Sequence, residues 1–339
     1  LKKNDQDKEF QKNRAEKEER RKRKRKEKKK QLKKIAIGKK QKRKAMRKLP
    51  QIWSPEKLTL QFGYSEEVLS FINQLKKLGE TEKELSIRLD NVTDIGEGAI
   101  GMLLSVINEL TLKDVALVGE KPHNNYARNA LERSGFFKYM KGYVAPENLK
   151  TKNIIIRTGN INTSQRELSP EMPKAMETVW GVPGRCPILF GGIGEMLRNA
   201  CDHAFDNGDK ITWHLGVSHL EKEKAVKFSF VDNGVGIIKK YYEDKLFKQV
   251  KDIFKTNAKV LENAYKNGIE SQTGLPWRGK GLPTIYELYK DNIITNLVVI
   301  TNNVYLDFDE KTFEEINVPF SGTYYFWKVD QTCEPNYFL

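Results

Sequence analysis

The apolar positions of this chain change period along its length, and the changes divide it. From Glu66 to Leu78, the residues Val68, Leu69, Ile72, Leu75 and Leu78 recur at helical spacing and predict an amphipathic helix. Leu85-Ser86-Ile87-Arg88-Leu89 alternates instead, as a half-buried strand does. Helical spacing returns from Gly98 to Leu110 through Ile100, Leu103, Leu104, Ile107 and Leu110, and Val115-Ala116-Leu117-Val118-Gly119 reads as a buried strand. A further helix is predicted from about Asn124 to Ser134, with Gly135 placed to end it. With a short strand at Lys57–Leu60, this order of strands and helices predicts a small α/β layer over residues 50–148. Farther on, Ala225-Val226-Lys227-Phe228-Ser229-Phe230-Val231 reads as a strand. Ile285, Leu288 and Tyr289 mark a helix, and Tyr324 to Val329 a second strand.

Residues 1–49 lack any such pattern. Leu32, Ile35 and Ile37 are too few for a coiled-coil seam. Charge replaces hydrophobicity here: residues 1–48 hold 25 Lys and Arg against 7 Asp and Glu, a net +18 within a whole-chain balance of +15. The rest of the chain is therefore slightly acidic, and the positive excess belongs to one arm, densest at Arg21-Lys22-Arg23-Lys24-Arg25-Lys26. Alone, such an arm cannot bury a core and is expected to be largely disordered; against phosphate its good helix formers predict a helix. Segregated charge of this size points to a polyanion, so residues 1–48 are expected to hold nucleic acid or a ribonucleoprotein through the backbone, since Phe10 is the arm's only aromatic. A targeting tail and an acidic-protein or membrane-surface contact are the competing readings.

Three scattered cysteines make neither a disulfide framework nor a zinc site, which suits a reducing cytoplasm. No run of about 18 apolar residues exists, so no membrane span is expected. Candidate chemistry lies in the last 190 residues or so. Glu195 and Asn199 stand four apart and share a helix face, with Asp202 three further on. The strand ending at Val231 runs into Asp232-Asn233-Gly234-Val235-Gly236, a carboxylate followed by two glycines that form a tight turn. Arg278-Gly279-Lys280-Gly281-Leu282 opens the later helix, where free amides and the helix dipole favour an anion. Ser321-Gly322-Thr323 opens the last strand. Taken singly, Glu195 reads as a solvated helix residue and Asp232 as a turn former.

In this order, the four boxes resemble the GHKL ATPase family, which includes gyrase B, Hsp90, MutL and the histidine kinases, over about residues 150–330. The resemblance implies a two-layer α/β sandwich over 149–339 that binds ATP and Mg2+. It gives Glu195 the role of general base toward water, and Asn199 that of magnesium ligand. Asp232 would read the adenine amino group, which suits an acceptor-only carboxylate, with Gly234 and Gly236 shaping the pocket. Arg278, Gly279, Lys280, Gly281 and Leu282 would lie beside the phosphates, Asp202 beside the nucleotide, and Thr323 would support Asp232. The segment between Lys239 and Trp277 would be a lid. Gyrase B and MutL take a γ-phosphate lysine from a following domain. No such domain is expected here, so Lys280, Arg278 or a partner would supply the cation. None of the four histidines sits where a histidine kinase carries its phosphoacceptor.

The 50–148 unit resembles STAS domains through Asn91 to Ala99 and Ala116-Leu117-Val118-Gly119. The phosphoacceptor serine of that family falls within Gly96-Glu97-Gly98-Ala99 and is absent, so phosphoswitching is not expected there. The expected fold class is thus α/β and α+β: a basic arm (1–49), a STAS-like α/β domain (50–148) and a GHKL sandwich (149–339). The expected function is an Mg-ATP-binding ATPase that works as a nucleotide-driven conformational or dimerisation switch. Its arm would hold nucleic acid, and its STAS-like domain would dock a protein partner or a second copy. A serine/threonine kinase of the anti-sigma-factor type and a non-hydrolysing ATP-binding module are the alternatives, and the architecture suggests antiviral defence by analogy alone.

Overall fold

The structure is a computed structural model; it describes residues 19–30, 48–143, 154–159, 171–203, 213–243, 256–268 and 281–335, with the side chains of residues 154–159, 201–203, 241 and 243 outside that description. Two units divide the chain, Leu1–Pro50 and Gln51–Leu339. In the first, residues 19–30 form a helix, α1, every residue of which is exposed, Arg21 to Lys26 among them.

The second unit is mixed α/β. Its first part carries strands β1 (Gln51–Trp53), β2 (Lys57–Leu58), β3 (Glu84–Arg88), β4 (Asp94–Ile95) and β5 (Ala116–Glu120). Between them lie helices α2 (Ser65–Thr81) and α3 (Glu97–Leu112), and α4 (Asn125–Arg133) follows β5. A parallel sheet has the order β1-β3-β5, and β2 pairs with β4, also in parallel. Of the periodic residues predicted for α2, Val68, Leu69, Ile72 and Leu75 are buried and Leu78 is half-buried. Asn124 caps α4 by accepting from the backbone N–H groups of Tyr126 and Ala127.

The later part contains α5 (Glu171–Trp180), α6 (Pro187–His203), α7 (Ile237–Glu243), α8 (Asn257–Asn267) and α9 (Gly281–Lys290). They accompany a five-stranded antiparallel sheet of β6 (Ile154–Gly159), β7 (Trp213–Leu220), β8 (Ala225–Asp232), β9 (Thr295–Asp307) and β10 (Thr312–Asp330), in the order β6-β7-β8-β10-β9. On β8, Val226, Phe228 and Phe230 enter a core with the helices α5, α6, α8 and α9. Phe228 stacks on Trp327 with ring centres 5.2 Å apart, and Trp213 on Phe230 at 6.0 Å. Each such pair adds about 0.5–1.5 kcal/mol beyond its buried area.

Both faces of this sheet are covered. Val231, Val298, Ile300, Phe320 and Tyr324 belong to a second core that they share with α2, α3 and the parallel sheet. Small residues permit the approach. A Cβ on Gly98 would stand 1.8 Å from the Tyr324 hydroxyl, and one on Gly101 would stand 2.7 Å from Ser229 Oγ. At its start, α3 is also tied to β8 by an ion pair of 3.4 Å between Glu97 and Lys227. The buried faces of α2 and α3 are thus largely spent against the five-stranded sheet. His214, buried on the α3 side of β7, is pulled by desolvation to a pKa of about 4 and is neutral near pH 7.

Candidate functional site

Glu195 and Asn199 sit on the last turns of α6, on one face, as their spacing predicts. That face meets the start of α9. A Cβ added to Gly281 would lie 3.2 Å from both Glu195 Oε2 and Asn199 Oδ1, so a side chain there would crowd both groups. Residues far apart in sequence therefore converge: the carboxylate, the amide and the first residue of a helix whose N-terminus favours anions. The Nδ2 of Asn199 is buried without a hydrogen-bond partner. Glu195 pairs with Arg198 at 3.0 Å, one turn along α6. Leu282, next in the chain, is buried in the core below.

Asp232 ends β8 opposite Thr323 of β10 and Trp213 of β7. It is only 3 % exposed. Its Oδ1 accepts from the backbone N–H of Gly234 at 2.9 Å, and Thr323 bonds to it from both side chain and backbone. Burial nonetheless wins and raises its pKa from the ordinary carboxylate range to about 6. The carboxylate is ionised above that pH and is then a pure acceptor, with lone pairs left for an incoming N–H donor.

The turn after Asp232 is held by residues that the sequence reading missed. Gly236 has a φ of 84°, and a Cβ there would strike Asn302 Oδ1 at 2.5 Å. Asn302 accepts from the Lys239 N–H at 3.0 Å and donates to the Val235 carbonyl at 2.8 Å, clamping both sides of the loop. Thr301 accepts from the Ile237 N–H and donates to the Gly322 carbonyl, both at 2.9 Å, which joins the loop to the corner before Thr323. Asn302 has a φ of 51°, a left-handed turn within β9 that supplies this clamp. A polar Thr-Asn-Asn run interrupting an apolar stretch was the one available signal.

Of the expected site residues, then, Glu195, Asn199 and Gly281 form one cluster; Asp232, Gly234, Gly236 and Thr323 form another. Arg278, Gly279 and Lys280 lie outside the described residues, as do most of the expected lid and the side chain of Asp202, whose backbone continues α6. Among the described residues no three His, Cys, Asp or Glu side chains converge as a metal site, and no helix is long and apolar enough to cross a membrane. For magnesium, the fitting donor is the Asn199 amide oxygen together with phosphate oxygens and water, since magnesium keeps several waters and takes few protein ligands. No protein-family model matches the chain, and no curated protein matches its sequence.

Proposed function

We propose that the second half of the chain binds Mg-ATP and works as a nucleotide-driven switch, with the basic arm holding nucleic acid. The reading is carried by the convergence of Gly281 on Glu195 and Asn199, because a glycine-started helix facing a carboxylate and an amide suits a polyphosphate, its metal and a water. The buried Asp232 supports it as a reader of an exocyclic amine. Bound magnesium would neutralise phosphate charge. The chain's own groups do the rest: Asp232 accepts the base's N–H, Asn199 offers its oxygen to the cation, the α9 amides face phosphate, and Glu195 takes the proton of an attacking water.

A second reading has one specific observation in its favour. The Arg198 guanidinium lies 3.0 Å from Glu195 Oε1 and so occupies an oxygen that a water would otherwise meet. ATP would then be a structural ligand that is bound without turnover. Calorimetric titration with ATP and Mg2+, combined with phosphate release for the wild type and Glu195→Ala, separates these readings. Binding in both proteins with release only in the wild type supports hydrolysis through Glu195. Binding with no release in either favours the structural-ligand reading, and no binding to the wild type removes both. Phosphate found on a copurified protein rather than in solution would indicate a kinase.

A further inference from the structure

The β10 stretch before Thr323 is irregular: its pairing with β9 shifts register between Glu315 and Phe320 and again between Phe320 and Thr323. Helix α2 supplies what the ladder there does not. Glu66, Asn73 and Lys76 lie on one face of it at spacings of seven and three. Glu66 accepts from the Asn317 N–H at 3.0 Å, Asn73 donates to the Pro319 carbonyl at 2.8 Å, and Lys76 donates to Ser321 Oγ at 3.5 Å. The Lys76 ammonium also lies 5.6 Å above the Phe320 ring and 3.5 Å from Glu109 of α3. Ser321 leads into Gly322, whose φ is 117° and whose added Cβ would stand 2.2 Å from the Asp232 carbonyl oxygen. From α3, the Ser105 carbonyl accepts from Asn233 Nδ2 at 3.5 Å. The corner carrying Asp232 is therefore gripped from the N-terminal layer on two sides.

We propose that Lys76 is a positioning residue for Asp232: it seats the Ser321–Thr323 corner and its positive charge favours the ionised carboxylate. This rests on the nucleotide reading only in what the carboxylate would contact. Among the described residues, the field of Lys76 of α2 lowers the Asp232 pKa, and behind it lies Glu109 of α3, which pairs with both Lys76 and Lys113. Thr323 and Trp213, opposite on β10 and β7, carry no charge. Burial pulls the Lys76 pKa below its ordinary value, which makes it sensitive to Glu109.

The test uses the full chain with Lys76→Met, Lys76→Arg and Glu109→Gln. The side-chain carboxyl 13C signal of Asp232, assigned by its loss in Asp232→Asn, is titrated without nucleotide, and ATP affinity is measured at pH 6.5 and 8. Removing the lysine charge is expected to raise the Asp232 midpoint, because the Lys76 field lowers it. Lys76→Arg should keep it, and Glu109→Gln should lower it. A rise of about one pH unit, for example, would lower the ionised fraction about threefold at pH 6.5 and hardly change it at pH 8, so ATP binding should weaken at pH 6.5 alone. A midpoint unmoved in both Lys76→Met and Glu109→Gln, or an affinity loss equal at the two pH values, overturns the proposal. If the midpoints move as expected but the wild type binds no ATP, the nucleotide reading fails while the link between Lys76 and Asp232 stands.

Discussion

Replacing Asp232 by Asn should change how the stability of the protein depends on pH, in a direction fixed by burial. The native carboxyl titrates near pH 6, whereas in the unfolded chain it titrates near 3.8. Between these values the native state holds a proton that the unfolded state has released, so the Asp232 contribution falls as pH rises from about 4 to 6 and is constant above. Two units of difference correspond to about 3 kcal/mol. The substituted amide would not titrate. It would also lose hydrogen-bond geometry at Thr323, but that penalty is nearly independent of pH and cancels when two pH values are compared. The wild-type curve alone would mislead. The neutral, buried His214 contributes stability that is lost as pH falls from 6.5 toward 4, opposite to Asp232 in an overlapping window. The wild-type-minus-variant difference isolates Asp232, because His214 is present in both. Urea unfolding at pH 4 and pH 7 should show the variant gaining about 2.4 kcal/mol on the wild type between the two, or about 0.8 M in midpoint for a slope near 3 kcal/mol per M. A difference that stays flat, or grows in the wild type's favour with pH, would show that the carboxylate is not held against its own desolvation.

Four further outcomes follow from the same contacts. Gly281→Val should weaken Mg-ATP binding by tenfold or more in calorimetry with little change in thermal midpoint, because its side chain fills the space before Glu195 and Asn199. Gly98→Ala should destabilise the chain by about 1–3 kcal/mol through overpacking against the Tyr324 hydroxyl, and Tyr324→Phe should recover part of that in a double-mutant cycle. His214→Leu should be more stable than the wild type by a margin that widens toward about 3 kcal/mol as pH falls from 6.5 to 4, followed by urea unfolding. Changing Arg21–Lys26 to glutamine should flatten the salt dependence of duplex binding by a slope of up to about 5, measured by fluorescence anisotropy.

What the sequence made legible follows from how local each determinant is. Helix α2 was readable because it buries one stripe, α3 because its large apolar residues keep helical spacing although residues 98–107 are all buried, and the Glu195–Asn199 pair because four residues set its geometry. Strand β7 was not readable. Both its faces are buried, so Trp213, Leu215 and Val217 alternate with His214, Gly216 and Ser218, which look like loop residues until α3 is seen to need small neighbours. Strand β9 was masked by Asn296 and Asn302, whose left-handed φ values look like turns but occur within the strand. Strand β10 was expected only from Tyr324, because Pro319 and Ser321-Gly322 read as breaks; they mark its register shifts. The expectation for Asp232 came from its strand-end place before two glycines. The Lys76 contact lies 245 residues away from Ser321 in sequence, and no local pattern encodes a separation of that size.

The doubly covered sheet changes what a nucleotide-driven switch in this chain could consist of. A freely tethered N-terminal domain could report on ATP only by meeting something new. Here α2 and α3 already hold the corner on which Asp232 sits, through Lys76, Asn73 and Ser105. If Asp232 meets a ligand as proposed, these contacts would couple that binding to any partner that shifts α2, and the coupling would be reciprocal. Such a partner cannot use the buried faces of α2 and α3. It would have to meet the outer surface of this layer, where Trp53, Tyr64 and Tyr126 are exposed. Scattered exposed aromatics are ordinary on a protein surface and do not by themselves mark a docking site. On the proposed reading, coupling would run from the outer surface of the layer through α2 to the corner at Asp232.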